Sequence, residues 1–180
     1  DIRFEDFVKL ATRYFGDEPA RLIHNKRSPF ESYRPQQVVI ERNNHLSHCM
    51  IGGIAPQYNH PQKMPYILLN NILGGLSLNI REKYGFAYTI ESQYNAYSDI
   101  GLISIYMGID PDSLDRAIKL VYKELDKLMQ QKLGTLQLFH AKQQLIGQVV
   151  LGYESGMNEL LSTVRSVLMD EDIEYLSDIV

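Results

Sequence analysis

The sequence predicts an α+β domain: an antiparallel β-sheet with helices packed on one face. Two observations carry that reading. Residues 86–97 and 101–109 alternate along the chain, with Ile103, Ile105, Met107 and Ile109 on one side, and Ser98-Asp99-Ile100-Gly101 supplies the turn of a hairpin. Elsewhere apolar residues recur at three- and four-residue spacing in stretches grouped around the strands, which is the arrangement of a sheet faced by helices.

Length and composition set the bounds. At 180 residues the chain is one domain. Its 44% hydrophobic and 22% charged residues are the mixture of a packed globule and exclude a disordered chain. A net charge of −4 argues against a dedicated nucleic-acid binder. The lone Cys49 excludes an intrachain disulfide framework and a cysteine-rich zinc module, and it fits the cytoplasm. No apolar run approaches the ~20 residues that span a bilayer. The chain opens on Asp1 without an initiator methionine, so a processed chain or a piece of a longer one is expected.

The elements follow in order. Phe4, Phe7, Val8, Ala11 and Phe15 share one face of a helix over 1–15, with Gly16 as its stop. Residues 17–37 form a connection with three prolines (Pro19, Pro29, Pro35), long enough to pack as an extended arm. Val38-Val39-Ile40 reads as a short strand, paired in a hairpin with a second run from His48 to Ile54. A helix over 62–73 ends at Gly74-Gly75, and a short one over 76–83 stops before Gly85. In the strand over 86–97, alternation places Tyr88 with Ile90, Ser92 and Tyr94 on one face. Asp110-Pro111 opens a helix whose stripe is Leu114, Ala117, Ile118, Val121, Leu125 and Leu128. Thr135 caps a further helix with Leu138, Ala141, Leu145 and Val149, and two more helical stretches follow Gly152–Gly156.

Few residues offer chemistry. His45 and His48 are three apart but straddle a turn and a strand start, and no H-E-x-x-H or H-x-x-E-H sequence occurs. They read as hydrogen-bonded turn histidines, and a metal held by them with Glu41 is the remote alternative. There is no G-x-S-x-G elbow, and Cys49 sits in an apolar strand as an inert thiol. Gly74-Gly75 lacks the lysine and the β-α-β frame of a phosphate loop. Arg81, at the end of a short helix, and Tyr88, at the start of a strand, can converge across Gly85. A guanidinium fork and a phenolic O–H suit a peptide carbonyl or the oxyanion formed on attack. The same residues also suit ordinary duty as a helix C-terminal cation and a strand tyrosine.

The stretch Arg81-Glu82-Lys83-Tyr84-Gly85-Phe86-Ala87-Tyr88-Thr89-Ile90, following Gly74-Gly75, resembles the R-E-x-x-G-x-A-Y pattern of the pitrilysin–insulinase zinc metallopeptidases, whose relatives include the mitochondrial processing peptidase subunits. FVKLATRYFG (residues 7–16) and AKQQLIGQVVLGYES (residues 141–155) resemble two further family segments, in the family's order. The resemblance is to the half that does not bind zinc. It implies a processing-peptidase-like α/β sandwich forming the C-terminal, non-zinc half of a two-domain unit, with residues 1–180 as that half. It implies that Arg81 and Tyr88 hold peptide substrate and support the reacting carbonyl, with Gly74 and Gly75 in a glycine-rich loop. No catalytic or metal-binding residue is expected in this chain alone; zinc belongs to an H-x-x-E-H domain or subunit elsewhere, so the chain by itself is expected not to cleave peptides. The alternative is a proteolytically inactive structural or interaction module of the same fold. Only Leu76 to Ile80 separate the glycines from Arg81, a shorter spacing than the family's. Asp1-Ile2 resembles the tail of a family strand, and a sheet without that strand is expected to have its open edge covered by self-association or a partner.

Overall fold

A computed structural model describes residues 2–17, 30–85 and 87–169, excluding the side chains of 76–84 and 87. The described elements are α1 (Phe4–Phe15), β1 (Ser47–Ala55), α2 (Lys63–Tyr84), β2 (Ala87–Ala96), β3 (Gly101–Ile109), a 3-10 turn (Pro111–Ser113), α3 (Leu114–Gln130), α4 (Thr135–Tyr153) and α5 (Gly156–Leu168). The second helical stretch expected after Gly156 falls largely on residues 170–180, outside the described residues.

The three strands form one antiparallel sheet in the order β1-β3-β2. Its registers set two kinds of cross-strand row. Cys49–Met107–Ile90, Ile51–Ile105–Ser92 and Gly53–Ile103–Tyr94 alternate with His48–Gly108–Thr89, Met50–Tyr106–Glu91, Gly52–Ser104–Gln93 and Ile54–Leu102–Asn95. The first kind faces the core. Leu73 of α2 and Ala117 and Val121 of α3 close over Ile105, Met107 and Ile109, and Cys49, Ile51, Leu69, Ile90, Ile103 and Ile118 pack around them. Both helices therefore lie on one face, and the second kind of row is left on the other. Burial pushes the Cys49 thiol up, in keeping with an inert core cysteine.

Three expectations change. Val38, Val39 and Ile40 form no strand; they are 68%, 77% and 70% exposed, and β1 pairs with β3, His48 opposite Gly108, not with the segment just before it. Strand propensity alone makes no ladder without a partner. Gly74 and Gly75 form no loop: α2 runs through them without a break. Each costs about 1 kcal/mol relative to alanine in a helix, but tertiary packing overrides that. Ser92 Oγ donates to the Asn70 carbonyl at 3.0 Å, Asn71 Nδ2 donates to the Ala141 carbonyl at 3.0 Å, and Leu69 and Leu73 are in the core. At Gly74 a Cβ would lie 3.7 Å from Ser92 Oγ, an ordinary contact, so this face of α2 lies against β2. Thr135 is the first residue of α4, not its cap; the cap is Gly134, whose N–H donates to Gln137 Oε1 at 3.1 Å. Asp110 does cap as expected, its Oδ1 accepting from the Asp112 N–H at 3.1 Å.

Helix α2 ends at Tyr84 and Gly85 follows with φ of +69°, the left-handed conformation that closes a helix C-terminus. Tyr94 ties the far end of β2 to the loop after β1: its hydroxyl donates to the Pro56 carbonyl at 2.7 Å, and its ring lies 5.8 Å from that of Tyr66. Burial, and then the neighbouring Tyr66, push the Tyr94 phenol above its ordinary value.

A core truncation and two glycine substitutions check this packing by urea unfolding. Met107→Ala, at a site with no exposed surface, lowers stability by about 2–5 kcal/mol, whereas Met129→Ala at a 76% exposed site changes it by less than about 0.5 kcal/mol. No atom lies within 4 Å of a Cβ built at Gly75, so Gly75→Ala raises stability by about 0.5–1 kcal/mol if α2 is continuous. Gly85→Ala lowers it by about 1–2 kcal/mol because of its φ.

Candidate functional site

The candidate site is built where α2 meets β2. Arg81 lies in the last turn of α2, Gly85 reverses the chain, and Tyr88 comes at the second position of β2. The reach of the Arg81 side chain lies outside the described part of the structure.

Tyr88 does not keep the face that alternation assigns it. Ala87 pairs with Ile109 and Thr89 pairs with the very next residue of β3, Gly108. Tyr88 is thus the extra residue of a β-bulge, two residues on β2 opposing one on β3. The bulge separates Tyr88 from the inward set Ile90, Ser92 and Tyr94, and its ring is 61% exposed. A tyrosine in phase with that set would be packed under α2, with its hydroxyl spent on a structural partner as the Tyr94 hydroxyl is. The bulge leaves the Tyr88 O–H able to meet a ligand.

The face of the sheet away from α2 and α3 carries a second polar feature. His48 Nδ1 and the Tyr106 hydroxyl are 2.7 Å apart, with the rings stacked at 6.0 Å and 20° between planes. Gly108 lies on this face yet is buried, because the Tyr106 side chain lies over it: a Cβ there would be 3.7 Å from the Tyr106 hydroxyl and 3.8 Å from Thr89 Cβ. His48 is thus a strand residue bonded across the sheet and not a turn histidine. Its partner is 58 residues away, and no local pattern in the sequence signals the pair.

The cavities lie elsewhere. A mixed cavity of about 360 Å³ between α2, α3 and α4 is lined by Asn71, Gly75, Lys127, Leu128, Leu133 and His140. An apolar one of about 540 Å³ beside it is lined by Met64, Leu68, Leu138 and Leu145. Neither includes Tyr88. Gly75 therefore faces a helix-side cavity, away from the residue with which it was grouped. Among the described residues no three His, Cys, Asp or Glu side chains are gathered as a metal ion would require, so the described chain does not fit zinc. Among the described residues no helix is long and apolar enough to cross a membrane.

Comparisons with known proteins place the chain in a family. Residues 1–145 match the family model described as the peptidase M16 inactive domain. An uncharacterized zinc protease of Bacillus subtilis is 27% identical over 188 residues, which covers 96% of this chain and 45% of the relative. The human mitochondrial-processing peptidase subunit alpha is 26% identical over 126 residues, 61% of this chain and 24% of that subunit. The crystal structure of a protease from Helicobacter pylori superposes with a TM-score of 0.80 at 17% identity, covering 99% of this chain and 46% of that one. The chain spans less than half the length of each of these relatives. The fold, the α2–β2 motif and the family match lead to one conclusion: this chain belongs to the peptidase M16 family, as its inactive, non-catalytic domain.

Proposed function

We propose that this domain is the substrate-binding, chamber-forming half of an M16 zinc peptidase unit, the C-terminal half in chain order, and that peptide hydrolysis requires an H-x-x-E-H domain or subunit holding the zinc. The observation that carries the reading is the bulge at Ala87–Thr89, which holds Tyr88 exposed just beyond the helix end that bears Arg81. A guanidinium can only donate, and a phenol at the adjoining element end brings an O–H donor of its own. They suit a partner rich in oxygen, first the substrate carbonyl and then the oxyanion that replaces it. Donors held on a helix end and a sheet add little reorganisation at the moment of reaction. The chain itself supplies neither the attacking water nor its activation.

A catalytic partner also accounts for α1. Its apolar residues Phe4, Phe7 and Phe15 are exposed, and none of the helix is buried. On its polar side Arg3 and Lys9 both bridge Asp6. An amphipathic helix with an unburied apolar face gains most of its stability from packing against another surface. The proposed occupant is the catalytic half.

The test is reconstitution with an H-x-x-E-H partner and a quenched fluorescent peptide. This chain alone should not cleave, and the assembly should. Arg81→Ala and Tyr88→Phe should each lower kcat about a hundredfold while leaving assembly and thermal unfolding unchanged. Full activity in both variants would remove these two residues from the mechanism and leave the domain a structural module. Phe4→Asp with Phe7→Asp should abolish assembly without unfolding the sheet, because neither side chain belongs to its core.

A further inference from the structure

We propose that His48 and Tyr106 form a second anchor for the substrate, which reads one peptide unit of its main chain on the open face of the sheet. The proposal rests on the peptide-binding reading above and extends that site from Tyr88 across the sheet toward β1.

Three observations carry it. First, the pair is held in place. The 2.7 Å contact and the ring stacking restrain both side chains, and the Tyr106 hydroxyl lies in contact range of Gly108, 3.7 Å from where its Cβ would be. Second, it lies at the end of the sheet where Tyr88 is. The His48–Gly108–Thr89 row ends on the residue next to Tyr88, and the Tyr106 hydroxyl lies above the middle of that row. Third, neither α2 nor α3 packs on this face, and His48 is exposed there. The residues beside it in the next row are Met50 on one side and Glu91 on the other, both exposed.

The chemistry follows from the hydrogen-bond inventory. In the neutral tautomer that carries its proton on Nε2, His48 Nδ1 accepts from the Tyr106 O–H; in the other tautomer the two roles exchange, and the couple still offers one donor and one acceptor. In the first, the Tyr106 oxygen keeps a free acceptor lone pair and His48 Nε2 is a free donor. One acceptor and one donor, fixed side by side, complement the N–H and C=O of an extended peptide and ignore its side chains. The couple is therefore a main-chain positioning device and not a side-chain pocket. Because it touches the peptide away from the scissile carbonyl, it binds ground and transition states alike and should act on KM alone.

The test uses this chain assembled with its H-x-x-E-H partner and the same quenched fluorescent peptide. Tyr106→Phe keeps the ring over Gly108 and removes only the hydroxyl; His48→Ala removes its holder. Each should raise KM about three- to tenfold with kcat unchanged, the range expected for one neutral hydrogen bond. The double variant should be no worse than the poorer single, because the two act as one unit. An unchanged KM in Tyr106→Phe overturns the proposal, and so does a lowered kcat at unchanged KM. The two readings separate cleanly. If Tyr88→Phe lowers kcat while Tyr106→Phe leaves KM alone, only the second anchor falls. If Tyr106→Phe raises KM while Arg81→Ala and Tyr88→Phe leave kcat intact, the roles of Arg81 and Tyr88 fall and the anchor stands.

Discussion

Strand β3 carries both ladders of the sheet, and its Met107 and Ile109, with no exposed surface, fix the phase of everything paired to it. A one-residue slip on either side would carry an inward set outward and break the core, so the register is strongly specified. Under that constraint an extra residue in β2 cannot be absorbed by sliding the strand. It is expelled from the ladder at the position nearest the strand start. That residue is Tyr88. The core that stabilises the domain is thus also what displays the proposed catalytic-support tyrosine.

The same constraint divides the labour between faces. Inward residues bury their apolar surface under α2 and α3, and the inward hydroxyls of Ser92 and Tyr94 bond the Asn70 and Pro56 carbonyls. Those bonds hold α2 and the loop after β1 against β2, which sets where α2 ends and hence where Arg81 is presented. Outward residues are released from packing. They can be a histidine bonded to a tyrosine, an acid and a methionine in adjoining rows, because neither α2 nor α3 packs on that side. On the proposed reading, in which another domain or subunit holds the zinc, this domain needs only such a wall with donors set on it. Among the described residues, the apolar face of α1 is exposed and the outer edges of β1 and β2 have no further strand beside them.

Much of this was legible in the residues. Strand β3 is Gly101–Ile109 by alternation and by hydrogen bonding, because a period of two is a local signal. The stripe of α3 and the Asp110 cap were equally readable. The errors share one cause, which is that long-range packing overrides local signs. Gly74-Gly75 reads as a stop only while the contacts of α2 with β2 and α4 are unknown. Val38-Val39-Ile40 has strand composition, but β1 finds its ladder in β3. Tyr88 was identified from the Arg-Tyr spacing and the family resemblance, yet alternation placed it on the core face. The bulge that moves it depends on Gly108 and Ile109, some twenty residues later in the chain. The His48–Tyr106 pair had no sequence signal of its own; the nearest hint is Gly108, in contact range of the Tyr106 hydroxyl.

The most direct measurement is a structure of this domain assembled with its H-x-x-E-H partner and trapped on an uncleaved peptide, with the partner's catalytic glutamate changed to glutamine. The account predicts an extended peptide whose carbonyl oxygen lies within hydrogen-bond distance of the Tyr88 hydroxyl, on the side of the sheet away from α2 and α3. A peptide seated instead in the helix-side cavities between α2 and α4, with the Tyr88 hydroxyl facing only water, would contradict it.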